Sequence, residues 1–265
     1  MAGLIHYWLV DHPTIARFTW IQGQTWGSTL LFLALTVLTY LLLTLSLRRR
    51  SPALPASVLR CASAAHNLLI LILSLLMALG CSLSTLSQMP NPKWIFCFPK
   101  AQTRPTGPVF FWAYVFYLSK ILEFIDTLLI ILAGDIRRLS FLHVYHHTVV
   151  VVMCYLWLSN SQSLFPVALV TNASVHTLMY AYYLLCALGR RPWWKKAVTN
   201  CQIVQFLFSF AVSVVMLYYH FSGSGCSGFG AWCFNAVFNA SLLALFMNFH
   251  AKNYDRKRNE KNKRS

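Results

Sequence analysis

Long apolar tracts separated by short polar or basic blocks set the pattern of this chain. The first tract, 28–47, is 20 residues long, enough to span hydrocarbon as a helix, and stops at Arg48-Arg49-Arg50. Further tracts follow at about 64–87, 109–133, 141–158, 164–186, 197–220 and 230–250, which makes seven predicted spans. No internal repeat or separate soluble unit is evident. Residues 1–27 are mixed and carry Tyr7, Trp8, Trp20 and Trp26. They read as an interfacial, lumenal segment, because amphipathic rings favour the headgroup level. No basic block or cleavage site precedes the first tract, so no removed signal peptide is expected. The expected division is therefore 1–27, a seven-helix membrane domain at 28–250, and a basic cytosolic tail at 251–265.

Composition sharpens the class. The chain is 57% hydrophobic and only 11% charged, whereas soluble domains carry about 25% charged residues. An all-α, polytopic membrane protein fits. The net charge of +16 would suit nucleic acid, but the basic residues sit in short blocks between apolar tracts, so no nucleic-acid binding is expected. With seven spans, one face receives seventeen basic residues: Arg48, Arg49, Arg50, Arg60, Arg137, Arg138, Arg190, Arg191, Lys195, Lys196 and seven from Lys252 onwards. The other face has four: Arg17, Lys93, Lys100 and Arg104. That asymmetry predicts a lumenal N-terminus and a cytosolic C-terminus. The tail ends Lys261-Asn262-Lys263-Arg264-Ser265, the spacing of a dilysine retrieval signal, though a solvated basic tail beside a membrane looks similar.

Eight cysteines are too few for a disulfide scaffold, and most lie in apolar tracts, where cysteine acts as a small hydrophobe. Cys97 and Cys226 lie in two outer loops, an oxidising setting, so a Cys97–Cys226 disulfide is expected, with Cys81 and Cys233 near the same face. Two glycosylation sequons, Asn172-Ala-Ser174 and Asn239-Ala-Ser241, fall inside spans and are expected to be unmodified.

Four spans carry polar residues that lipid does not explain. His143, His146 and His147, in FLHVYHHTVVVV at 141–152, share one helical face at about 100° per residue. Lys120, Glu123, Asp126 and Thr127 fall within an arc of about 120° on the third span. Asn172, His176, Met179, Tyr180 and Tyr183 follow helical spacing on the fifth, and Thr199, Gln202 and Gln205 open the sixth. Ionisable groups in a membrane are costly and mark working sites; a histidine bonding two helices, or a structural Lys–Glu–Asp network, is the alternative. The predicted orientation puts all four groups at one depth on the cytosolic side.

Lys120-x-x-Glu123-x-x-Asp126-Thr127, His143-x-x-His146-His147, Asn172-x-x-x-His176-x-x-Met179-Tyr180-x-Tyr182-Tyr183 and Thr199-x-x-Gln202-x-x-Gln205-Phe206 resemble the four signatures of the ELO family, the fatty-acid elongases of the endoplasmic reticulum membrane. The strong match covers about 112–206. This resemblance implies condensation of a long-chain acyl-CoA with malonyl-CoA to 3-ketoacyl-CoA, CO2 and CoA. It also implies a bundle enclosing a narrow acyl-chain pocket, and ketoacyl reductase, dehydratase and enoyl reductase partners of the elongation cycle. No cofactor or metal is expected beyond the two CoA substrates, and helix packing is compatible with a homodimer.

Neutral imidazole is a competent nucleophile towards a thioester. By resemblance His146 carries the acyl group as an acyl-imidazole in a two-stage mechanism. His143, His147 and His176 orient it, move protons or stabilise oxyanion charge. Glu123 and Asp126 fix imidazole tautomers while Lys120 offsets their charge. Asn172, Gln202 and Gln205, with Tyr180 and Tyr183, are candidate substrate contacts. Arg137, Arg138, Arg190, Arg191, Lys195 and Lys196 are candidate ligands of the CoA phosphates, although orientation alone explains their presence.

Three rivals remain. Cys201 or Cys186 would be the nucleophile if a ketosynthase-like cysteine operated. A membrane di-iron desaturase or hydroxylase also carries HxxHH boxes but needs roughly six ligands. Only four of nine histidines belong to the layer, with His6, His12, His66, His220 and His250 placed elsewhere. A seven-helix transporter or receptor would use buried charge for proton coupling, without the paired repeats common in transporters.

Overall fold

The computed structural model describes residues 2–49, 54–100 and 102–252; Arg50 and the dilysine tail lie outside these. The bundle is built from α1 (Leu30–Arg49), α2 (Ala56–Gln88), α3 (Pro108–Leu122), α4 (Phe124–Leu132), α5 (Phe141–Ser159), α6 (Phe165–Ala187), α7 (Lys195–Ser222) and α8 (Phe229–His250). Among the described residues no strand forms, and two isolated bridges, Thr19–Thr106 and Pro99–Cys226, join loops.

Helices α1, α2, α5, α7 and α8 are each long and apolar enough to cross a membrane. Their outer faces agree. Leu31 and Leu42 on α1 and Val204 and Val214 on α7 are exposed, as lipid-facing residues are. The other two predicted spans differ for separable reasons. The third is one tract in sequence but two helices in space. At Glu123 (φ −63°, ψ −10°) the chain turns, its N–H bonding Ser119 O (2.9 Å) while Asp126 N–H bonds Glu123 O (3.0 Å). That turn coincides with the buried Lys120–Glu123 pair. Along α6, Thr171, Asn172, His176 and three tyrosines dilute the apolar character of 23 residues.

Successive helices alternate between two ends. At one end the N-terminal segment meets the loop that follows α2, and that loop meets those that follow α5 and α7. Trp20 N–H bonds Pro105 O (2.9 Å) and Gly107 N–H bonds Phe18 O (2.8 Å). Phe98 N–H bonds Ser163 Oγ (3.0 Å). Ser163 N–H bonds Ser227 O and Ser227 N–H bonds Phe98 O, both at 2.9 Å. The Cys97–Cys226 disulfide expected from sequence closes this end, with Cα atoms 5.0 Å apart; Cys81 is buried and free, Cys233 exposed and free. Gly228 is required here. Its φ is +67°, and a Cβ would stand 2.4 Å from the Gln162 Cα.

Of the tryptophans in the N-terminal segment, Trp8 and Trp26 are exposed and Trp20 is not. Trp20 is buried edge-on against Tyr117 and Tyr155, because the bond to Pro105 pins its backbone over the bundle. Below it, Phe116 stacks on Trp157 (5.6 Å). Helix α2 approaches α3 so closely at Gly80 that a Cβ would overlap the Trp112 indole. Small residues permitting such approach drive helix association where lipid offers no hydrophobic difference.

Candidate active site

The opposite half of the bundle holds the polar residues, and the helices bring them to one place. Ser140 caps α5, its Oγ accepting the His143 N–H (3.2 Å). This puts the three histidines in the first two turns of that helix. His143 and His147 are one turn apart with ring centroids 4.4 Å apart, and the His146 ring is 5.4 Å from that of His147.

Three chains of contacts radiate from the α3–α4 turn. Glu123 Oε1 takes the Lys120 ammonium at 2.7 Å, and His176 Nδ1 from α6 lies 3.4 Å from both groups. Phe116 places its ring face 4.4 Å from the same ammonium. Both members of the ion pair are fully buried; pairing with a second partner is what makes such burial tolerable. Asp126 accepts from Tyr180 Oη (2.5 Å) on one oxygen and from His66 Nε2 (3.0 Å) on the other. Thr127 Oγ1 bonds His143 Nε2 (2.8 Å) and Tyr40 Oη (3.0 Å).

His66 therefore corrects the sequence count: it belongs to the layer, which has five histidines. The spacing could have found it. His66 lies near the end of its span that follows Arg60, so the depth arithmetic applied to the other four spans places it at the basic end. Tyr40 carried no such signal, since a tyrosine within an apolar tract is unexceptional.

His146 occupies a different position from its neighbours. It forms the head of a narrow cleft whose α5 wall continues with Val150, Met153 and Trp157. Helices α6, α7 and α8 supply the remaining walls, including Asn172, Gln205, Phe206, Asn235 and Phe238. The His146 ring stacks on Phe238 (6.3 Å, 19°), and its Nδ1 has no hydrogen-bond partner. The orphaned Glu123 Oε2 and His147 Nδ1 are buried in the same layer.

Of the expected substrate contacts, Asn172 and Gln205 line this cleft. Gln202 instead donates to Met179 Sδ (3.4 Å). Tyr183 packs edge-on against Tyr180, 5.9 Å between rings. Arg137 and Arg138 on the α4–α5 connection, Arg190 and Arg191 on the α6–α7 connection, and Lys195 and Lys196 at the start of α7 are exposed, at the polar-layer end. Cys186 is exposed and Cys201 half-buried, both unpaired. Among the described residues, no three His, Cys, Asp or Glu side chains are grouped so as to hold a metal ion.

Comparisons with known proteins identify the family. The family model described as GNS1/SUR4 (ELO) matches residues 25–262. The chain is 32% identical to a fatty acid elongase 3-like protein of Arabidopsis thaliana, across 98% of this chain and 95% of that protein. It is 34% identical to fatty acid elongase A of Dictyostelium discoideum, across 94% and 93%. With very long chain fatty acid elongase 5 of Xenopus laevis it shares 34% identity over 56% of this chain and 50% of that protein. A family match spanning nearly the whole chain, and relatives aligned almost end to end, lead to one conclusion: this chain belongs to the ELO family.

Proposed function

We propose that the protein is the condensing enzyme of fatty acid elongation, joining a long-chain acyl-CoA to two carbons of malonyl-CoA through an acyl-imidazole on His146. The observation that carries this is the position of His146 at the head of the narrow cleft, while His143, His176 and His66 are tied to Thr127, Glu123 and Asp126.

In the first half-reaction an imidazole nitrogen of His146 attacks the thioester carbonyl. The carbon–sulfur bond breaks, and CoA leaves as the thiol with the proton that the imidazole gives up. In the second, malonyl-CoA loses CO2 and the resulting enolate carbon attacks the acyl-imidazole. The carbon–carbon bond forms, and His146 departs and regains one proton from solvent. His147 and His143, within ring contact, serve as the proton path. Asn172 and Gln205 steady the thioester oxygen from the cleft wall. The Lys120–Glu123–His176 and His66–Asp126–Tyr180 contacts position these groups; they are scaffolding with charge.

The seven-span arrangement is read with the third span as α3 and α4 together and the fifth as α6. The basic end faces the cytosol, where Arg137, Arg138, Arg190, Arg191, Lys195 and Lys196 meet the CoA phosphates. The disulfide end faces the lumen of the endoplasmic reticulum, an oxidising compartment. Reductase and dehydratase enzymes of the cycle are the partners that consume the 3-ketoacyl product.

The test is a single-turnover incubation of purified protein with acyl-CoA alone, followed by peptide mass spectrometry. The peptide containing His146 is expected to gain the acyl mass and to lose it on addition of malonyl-CoA. His146→Ala is expected to abolish the adduct and reduce product formation on the order of 10³-fold or more, as loss of a nucleophile does. Undiminished condensation by that variant would remove the acceptor role. An adduct that moves to Cys201 would transfer it.

A further inference from the structure

The cleft beyond His146 is apolar on its α5 wall but not on the others. Phe238, which stacks on the His146 ring, marks that depth on α8. One turn further towards the disulfide end, Asn235 lines the cleft, 6% exposed, its Oδ1 without a partner. Asn172 on the facing α6 lines the same cleft, also with an orphaned Oδ1. Asn239 Nδ2 donates to Ser209 Oγ (3.1 Å) beside them, and Thr171 completes the rung, its hydroxyl bonded back to its own helix. None of these contacts uses Asn235, and the condensation assigns it nothing.

A buried amide oxygen left without a donor carries an uncompensated desolvation cost. An unsubstituted alkyl chain drawn past this rung would leave both oxygens unsatisfied, whereas an acyl group bearing a hydroxyl within its first few carbons would give one of them a proton. We propose, resting on the elongase reading above, that this rung is a specificity element and that the cleft favours acyl-CoAs hydroxylated near the thioester, with Asn235 accepting the hydroxyl proton.

The experiment compares, in the full-length protein with labelled malonyl-CoA, unsubstituted acyl-CoA with hydroxyacyl-CoAs of equal length carrying the hydroxyl at each successive carbon near the thioester. The wild type is expected to prefer at least one hydroxylated isomer. Asn235→Leu is expected to lower that preference about tenfold, the worth of one buried hydrogen bond, while the unsubstituted substrate is elongated as well or better. A competition assay on the wild type alone covers the case in which the variant does not fold. Equal use of, or preference for, the unsubstituted chain over every isomer would overturn the inference and leave the elongase reading intact. Elongation of no substrate at all would overturn both.

Discussion

The two ends of the bundle are held together by different means. At the disulfide end, loops from distant parts of the chain bond to one another through backbone and a covalent bridge, and the tightest approach needs a glycine at 228. At the basic end, the described loop backbone bonds are local: Arg138 N–H to Asp135 O, Gly189 N–H to Cys186 O, Arg190 N–H to Leu185 O. Cohesion there comes from side chains within the layer beneath. Loops laced to one another cannot part without breaking several bonds, whereas the described basic-end loops share no such backbone bonds with one another, only local ones. Under the proposed function, a substrate with a large, charged CoA head would enter at the basic end, where the polar layer also lies.

The sharpest way to break this contrast is to remove charge from the layer. Lys120→Met leaves the Glu123 carboxylate buried without its cation, and a loss of 3–5 kcal/mol is expected, about the cost of orphaning one partner of a buried pair. Glu123→Gln is expected to cost a similar amount. The double variant should recover most of the stability while product formation stays low, because His176 has lost the groups that place it. Thermal unfolding in detergent, followed beside condensation assays, separates the two effects. Recovery of both in the double variant would make the pair merely structural.

Next in size is the opposite end. Replacing Cys97 and Cys226 by serine opens a loop with a sequence separation of 129 residues, and roughly 2–4 kcal/mol of stability should be lost. Below the new unfolding temperature the turnover should change by less than about threefold, since no group of the layer moves; that is under 0.7 kcal/mol of barrier. A large fall in turnover with a well-folded protein would show that the two ends are coupled.

Much of this division is written in the chain. Apolar tracts gave the helices, and one outer cysteine in each of two loops gave the disulfide. Depth arithmetic brought Lys120, Glu123, Asp126, His143, His147 and His176 to a common layer because helical rise is regular. What escaped was what period and charge do not encode. The turn at Glu123 arises from a side chain satisfying its charge inside an otherwise continuous tract. Trp20 looked interfacial because burial by a folded-back segment depends on Pro105, far away in sequence. His66 stands apart from the other layer residues on its own tract, and its partner Asp126 lies 60 residues away, so periodicity within one helix does not pair them. His66→Gln tests its place: losing the bond to Asp126 should lower stability by roughly 1.5–3 kcal/mol, and turnover measured below the new unfolding temperature should fall about tenfold. An unaltered rate would leave His66 a helix–helix contact only.

The smallest effect separates two accounts of the same basic residues. If Arg190, Arg191, Lys195 and Lys196 served orientation alone, replacing all four by alanine in correctly inserted protein would leave kinetics untouched. If they meet the CoA phosphates, KM for acyl-CoA should rise a fewfold to about tenfold while kcat stays constant, because they lie outside the layer. The difference should shrink as salt rises, since screening acts within about 10 Å at 0.1 M ionic strength. Lys93→Ala with Lys100→Ala, at the laced end, removes positive charge without approaching the entry route and supplies the control. Equal effects from both sets would mean that net charge steers the substrate, and the distinction between the ends would then rest on the layer alone.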